Sequence, residues 1–139
     1  SAFGIGALVG SFMLASVQNL KHVGKLAILA VVVWHGSMVL FSLSTSFPLS
    51  MAILVLTGIG FSSTLVLILT VLLRNSLTEY RGRIMGLRVL AIYAHAFGSP
   101  ASGAIAGIWS APVAATFNAT LGTILVAVLA LIAPKLRKA

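Results

Sequence analysis

A single acid, a pair of mid-chain histidines and a stripe of threonines are the side chains here that could do more than pack. Glu79 is the only acid. Next to Arg81 and Arg83 it could act as a gate or a coupling group on the face of a membrane. Ser76-x-x-Glu79 is also the spacing of a capping box, and an acid favours a helix N-terminus. The local role is preferred, because a loop carboxylate among arginines is not a desolvated proton carrier. His35 and His95 fall in or near the middle of apolar runs. Each could relay protons, or bind a tetrapyrrole (a haem or chlorophyll-type ring) axially through a neutral imidazole. Ala91, four residues before His95, would leave room for a flat ring. The preferred reading is a histidine hydrogen-bonded to a neighbouring helix, so no cofactor is expected and the tetrapyrrole is the alternative. Thr116, Thr120 and Thr123 share one helical face at i, i+4 and i+7, while Asn118 points elsewhere. That stripe could line a polar cavity or meet a partner. Such hydroxyls also bond to carbonyls of their own helix.

Few other chemistries are open to the chain. It has no cysteine, so disulfides and thiolate metal sites are excluded. No nucleophile–base pair, phosphate loop or metal cluster stands out, and no enzymatic activity is expected.

The elements that must position these residues follow from composition. Of 139 residues, 60% are hydrophobic and 7% charged, and the mean hydropathy is +1.16. A soluble domain carries roughly a quarter charged residues. So few charges cannot cover a soluble particle, and disorder needs low hydrophobicity. An integral membrane protein remains. Its apolar runs are continuous, as in Leu26–Val33, where a transmembrane barrel would alternate. The fold class is therefore all-α: a single transmembrane domain over residues 1–139 with five helices.

The runs predict spans over 2–20, 26–43, 49–73, 84–108 and 113–132. Pro48, Pro112 and Pro134 sit at run ends, where a missing N–H costs least. Every basic residue falls at one set of connections: Lys21 and Lys25; Arg74, Arg81, Arg83 and Arg88; and Lys135, Arg137 and Lys138. Basic residues at helix ends mark the cytoplasmic side. The N-terminus is then outside and the C-terminus cytoplasmic, which needs an odd number of spans. Charges dispersed over helix ends do not form a nucleic-acid surface, so the partners expected are lipid and protein. A span that starts at Ser1 suggests that something upstream was removed or never existed.

Small residues recur four apart: Gly6 and Gly10 in the first run, Gly103 and Gly107 in the fourth, and Gly98, Ser102 and Ala106 beside them. In lipid such spacing lets helix backbones approach closely. Pro100 lies inside the fourth run and should kink it. Close packing is preferred over a hinge for this stretch.

"EYRGRIMGL", Glu79 to Leu87, resembles the element joining the tenth and eleventh helices of drug- and siderophore-exporting transporters of the major facilitator superfamily (MFS). "GIGALVGSFMLASVQNLKHVGK" resembles the eighth helix and its loop, and "GSPASGAIAG", Gly98 to Gly107, the eleventh. The resemblance implies an incomplete C-terminal MFS half, helices eight to twelve, in a bacterial inner membrane. It implies export of a small, partly apolar molecule, with Glu79, Arg81, Gly82 and Arg83 as a cytoplasmic gate and topology motif. Such transporters bind substrate between two halves, so this chain is not expected to transport on its own. Its partner would be the missing half, a second copy or another membrane subunit. The alternative is an MFS-derived subunit of a larger complex, for example photosynthetic or respiratory, that transports nothing. The expected partner-facing side chains are the threonine stripe, His95, Ser62, Ser63 and Thr64.

Overall fold

In hydrocarbon every backbone N–H and C=O must be satisfied within the chain, and apolar runs of this length do so as helices. The computed structural model describes residues 1–17 and 22–132, apart from the side chains at 91, 94–97, 129 and 130. Its α-helices are α1 (Ala2–Ala15), α2 (Val23–Leu43), α3 (Phe47–Arg74), α4 (Arg81–Ile108) and α5 (Ala111–Ile132). A 3₁₀ turn, Thr78–Tyr80, precedes α4. Among the described residues there is no strand. Lys21, Pro134, Lys135, Arg137 and Lys138 lie outside the described residues, as do the side chains of Ala91 and His95.

Helix starts follow local chemistry. Pro48 stands in the first turn of α3, where a fixed φ helps and no donor is lost. Pro112 is the second residue of α5. His22 caps α2 in the left-handed conformation (φ 57°), which His visits more readily than most residues with a Cβ.

α2, α3 and the Ala111–Val128 part of α5 are long and apolar enough to cross a membrane. The described first helix is shorter than the predicted span over 2–20. Its 14 residues reach roughly 21 Å. Ser16 closes it, its backbone N–H and its hydroxyl both donating to the Phe12 carbonyl. α4 is long, but Arg81, Arg83 and Arg88 occupy its first turns.

The packing order is α1–α3–α2–α5–α4. α3 is central because it carries small residues on opposite faces. Gly58 meets the α1 backbone, where an added Cβ would lie 2.8 Å from the Ala7 nitrogen and closer still to the Phe3 carbonyl. Gly6 of α1 lies on the Val55 carbonyl, and Gly10 on Ile59 and Ser62. Two residues further along α3, roughly 200° round the helix, Gly60 meets the α2 backbone, where an added Cβ would lie 2.8 Å from the Trp34 nitrogen. Val23, Ala27, Ala30, Leu67 and Val71 fill the α2–α3 seam below it, with Leu14 and Leu26 packed against them.

The contacts alternate the helix directions. α2 runs antiparallel to α5, pairing Ser42 with Thr116 and His35 with Gly122. α4 runs antiparallel to α5, pairing Ser102 with Asn118 across a two-residue link at Trp109–Ser110. Lys25, Arg74, Arg81 and Arg83 therefore gather at one end of the bundle. Ser44, Ser46 and Ser110 lie at the other.

One sequence expectation needs correction. Ser62 and Thr64 do not face outward. They are 6% and 3% exposed, and their hydroxyls donate to Ile59 and Gly60 carbonyls on their own helix. Both faces of α3 are occupied, so polar residues on either face turn inward. The glycine ridges also part company. That of α1 is in use, whereas Gly98, Gly103 and Gly107 have nothing within 4 Å of where a Cβ would stand. α4 passes through Pro100 and ends at Ile108.

Gly58→Ala should therefore cost about 1–3 kcal/mol, since the new methyl meets backbone that cannot swing away. Gly107→Ala should be neutral or stabilising by up to about 1 kcal/mol, because only helix propensity changes. Reversible unfolding of each variant in bicelles measures both.

Candidate functional site

A row of rings crosses the bundle. Phe3 of α1 lies 5.4 Å from Phe61 of α3, and Phe61 meets Trp34 of α2 edge-on at 5.1 Å. Trp34 in turn lies 4.5 Å from His35. The row ends on α5, where the His35 ring rests against Gly122. A Cβ at position 122 would collide with the imidazole, so glycine there sets how closely α5 approaches α2.

The His35 proton can be placed by elimination. Nδ1 lies 3.0 Å from the Val31 carbonyl, which only accepts. Nδ1 is thus the donor, and in the neutral ring Nε2 is a bare lone pair. The Nε2 edge is turned to Gly122, the direction an axial ligand bond would need.

Beside this ring lies a cleft of about 430 Å³. α2 supplies Trp34, His35 and Met38; α4 supplies Gly98, Ser99 and Ser102; α5 supplies Asn118 and Ala119. One hydrogen-bond chain spans it. Ser102 Oγ donates to the Gly98 carbonyl at 2.9 Å, so it can only accept from Asn118. Asn118 Nδ2 donates to Ser102 Oγ and to the Ala114 carbonyl, each at 2.9 Å. Both amide hydrogens are then used, and Oδ1 remains as an acceptor. A second hollow of about 370 Å³ lies toward the uncharged end, lined by Ser42, Leu43, Pro112, Val113, Thr116 and Phe117.

The threonine stripe divides. Thr116 donates to the Pro112 carbonyl and shares a 2.7 Å hydrogen bond with Ser42 of α2. Thr123 donates to the Ala119 carbonyl. Thr120 is exposed. The stripe straddles the edge of the α2 contact and does not line one cavity. Gly98 is a wall of the cleft, which is why nothing lies near it. The His95 side chain is outside the described residues.

At the charged end the capping box does not form. Ser76 Oγ turns back to the Leu73 carbonyl at 3.3 Å, and Tyr80 precedes α4 without a side-chain cap. Glu79 stands exposed in the 3₁₀ turn. The Arg83 guanidinium lies 5.8 Å over the Tyr80 ring. Among the described residues no group of His, Asp and Glu gathers that could hold a metal ion.

Sequence reasoning missed Trp34, Ser99 and Gly122 as site residues. Ser102 and Asn118 had been named, though not as a pair. Their pairing has a legible signal: a two-residue helical hairpin sets residues at equal distance from the turn side by side. Gly122 has none, since a lone glycine in a helix says nothing of what crosses it. No family model, curated protein or solved structure matches the chain.

Gly122→Ala should displace the His35 ring and break its bond to Val31. In ¹⁵N NMR of nanodisc samples, wild-type His35 should show a protonated Nδ1 and a bare Nε2. The variant should lose that signature, with His35→Gln assigning the signal.

Proposed function

We propose that the chain is an MFS-like half-bundle of five membrane-crossing helices that works against a second helical bundle. Its α2–α4–α5 cleft forms part of the wall along which a small, partly apolar molecule moves. The observation that carries this reading is the cleft itself: a largely apolar hollow with a few convergent polar groups, in the size range of small-molecule sites. α4 packs chiefly on α5, so among the described residues the cleft has no further wall. The gathering of Lys25, Arg74, Arg81 and Arg83 at one end supports a cytoplasmic orientation for that end. The motif resemblance supports a bacterial inner membrane and outward transport, with Glu79, Arg81, Gly82 and Arg83 at the cytoplasmic gate.

A second reading is favoured by the open Gly103 and Gly107 face of α4. On this reading the chain is a stable subunit of a larger membrane complex and moves no solute.

The chain lacks cysteine, so single cysteines report topology cleanly. Ser76→Cys should react only from the cytoplasmic side and Ser44→Cys only from outside; the reverse pattern would refute the orientation. Purified chain alone in liposomes should dissipate no solute gradient. Native-mass measurement after mild extraction should find it with a second membrane chain. Restoration of flux by that chain would favour the transporter reading, and a stable complex without flux the subunit reading. A 14.4 kDa monomer at native expression level would contradict both.

A further inference from the structure

We propose that Arg81 and Arg88 of α4 together hold the phosphate of an anionic phospholipid, in the leaflet at the basic end of the bundle. The proposal goes beyond the solute wall and rests only on the reading of α4 as a membrane-crossing helix. It begins from a charge imbalance. Lys25, Arg74, Arg81, Arg83 and Arg88 belong to the parts of α2, α3 and α4 that gather at that end, and Glu79 is the one acidic side chain in the whole chain. The undescribed residues therefore bring no further acidic side chain, and Lys21, Lys135, Arg137 and Lys138 among them add only positive charge. One carboxylate can balance one of these cations. The rest of the counter-charge must come from outside the chain.

Depth decides what supplies it. Tyr80 and Trp109 are exposed aromatic residues just outside the two ends of α4. Tyr and Trp favour the membrane–water interfaces. At 1.5 Å per residue they stand about 43 Å apart, against about 40–45 Å for a bilayer with its headgroups. The hydrocarbon core takes about 30 Å of that and leaves about 6 Å at each end. Arg88 follows Tyr80 by roughly 12 Å along the axis, so its Cα lies about 6 Å below the headgroup boundary. Leu87, Val89 and Leu90 beside it are exposed, as acyl-facing residues would be. An uncompensated charge at that depth is costly. Helical side chains lean toward the N-terminus of their own helix, here the basic end, and a long arginine carries its head to the headgroups. Arg81 and Arg88 are two turns apart on one face of α4. Their guanidinium groups are thus brought toward one level from above and below, and each suits a bidentate bond to phosphate. Arg83 stands roughly 200° round the helix from Arg81 and lies over the Tyr80 ring. A zwitterionic lipid sets a second cation beside its phosphate, so the pair favours a lipid that has none. A partner's carboxylate would have to be carried to this depth, whereas every lipid already presents its phosphate there.

Native mass spectrometry of the chain in mild detergent resolves lipids bound one by one and gives the dissociation constant of the first. The probes are phosphatidylglycerol and phosphatidylcholine with the same acyl chains. The wild-type chain should bind phosphatidylglycerol more tightly. Arg88→Gln and Arg81→Gln should each weaken it about fivefold, the worth of one basic residue at the membrane surface. The double variant should lose less than the product of the two, because both groups hold one phosphate. Leu87→Arg in the Arg88→Gln chain returns the net charge but sets it roughly 100° round the helix, and should not return the affinity. Circular dichroism establishes that each variant keeps its helices. A loss equal to the full product, or recovery with Leu87→Arg, would make the effect one of diffuse charge and overturn the site. Equal affinity for both lipids would overturn it too, and if Arg88→Gln then releases a second chain, the pair belongs to an acidic partner. Reaction of Ser76→Cys and Ser110→Cys from opposite sides of the membrane checks separately that α4 crosses. Reaction from one side removes that reading and the proposal together, whereas opposite sides without lipid preference remove the proposal alone.

Discussion

The close approach of three backbones at α3 is the constraint on which the rest of the molecule depends. Lipid tails are as apolar as leucine, so hydrophobic burial does little to hold helices together within the bilayer. What remains is dispersion, which rewards only close contact. Gly58 admits α1 to one face of α3 and Gly60 admits α2 to the other. With both neighbours fixed, the positions of Trp34 and His35 follow. So does the line of rings from Phe3 to His35. α5 is then placed by what α2 presents, and α4 by what α5 presents.

The two seams of the bundle differ in kind. Between α1, α3 and α2 the contacts are glycine, alanine, aliphatic side chains and the Phe3–Phe61–Trp34 rings. Hydroxyls there turn back on their own helices, as Ser11, Thr57 and Thr64 do. α5 is joined by hydrogen bonds between side chains: Thr116 to Ser42 of α2, and Asn118 to Ser102 of α4. Bonds of that sort in membranes average only about 0.6 kcal/mol. The α1–α3–α2 sandwich is thus the more closely packed part of the bundle, and α4 on α5 the less.

The sequence signals that survived are those set locally. Pro48 and Pro112 marked helix starts, and Gly6 with Gly10 marked a close crossing, because backbone sterics decide both. The signals that failed needed knowledge of a neighbour. Ser62 and Thr64 looked like a polar outer face, yet α3 is flanked on both sides and they are buried. Ser76 and Glu79 had capping spacing, but the Leu73 carbonyl at the end of α3 took the serine hydroxyl first. The threonine stripe shared a face, and the α2 contact edge happened to cut across it. Apart from these, Gly98, Gly103 and Gly107 keep the spacing of a packing ridge, and among the described residues none lies within 4 Å of where a Cβ would stand.

The same physics explains why a cleft persists between α2 and α4. Gly98, Ser99 and Ser102 form a small-residue wall that α2 could approach if something drew it in. Closing would exchange contacts with lipid for contacts with helix, a nearly even trade where both are apolar. It would also trap Asn118 Oδ1 without a partner, which is costly away from water. The α4 wall is meanwhile tied to α5 by the Asn118–Ser102 bond, so movement toward α2 would break or drag that pair. An open cleft therefore leaves Asn118 Oδ1 accessible and the Asn118–Ser102 pair undisturbed.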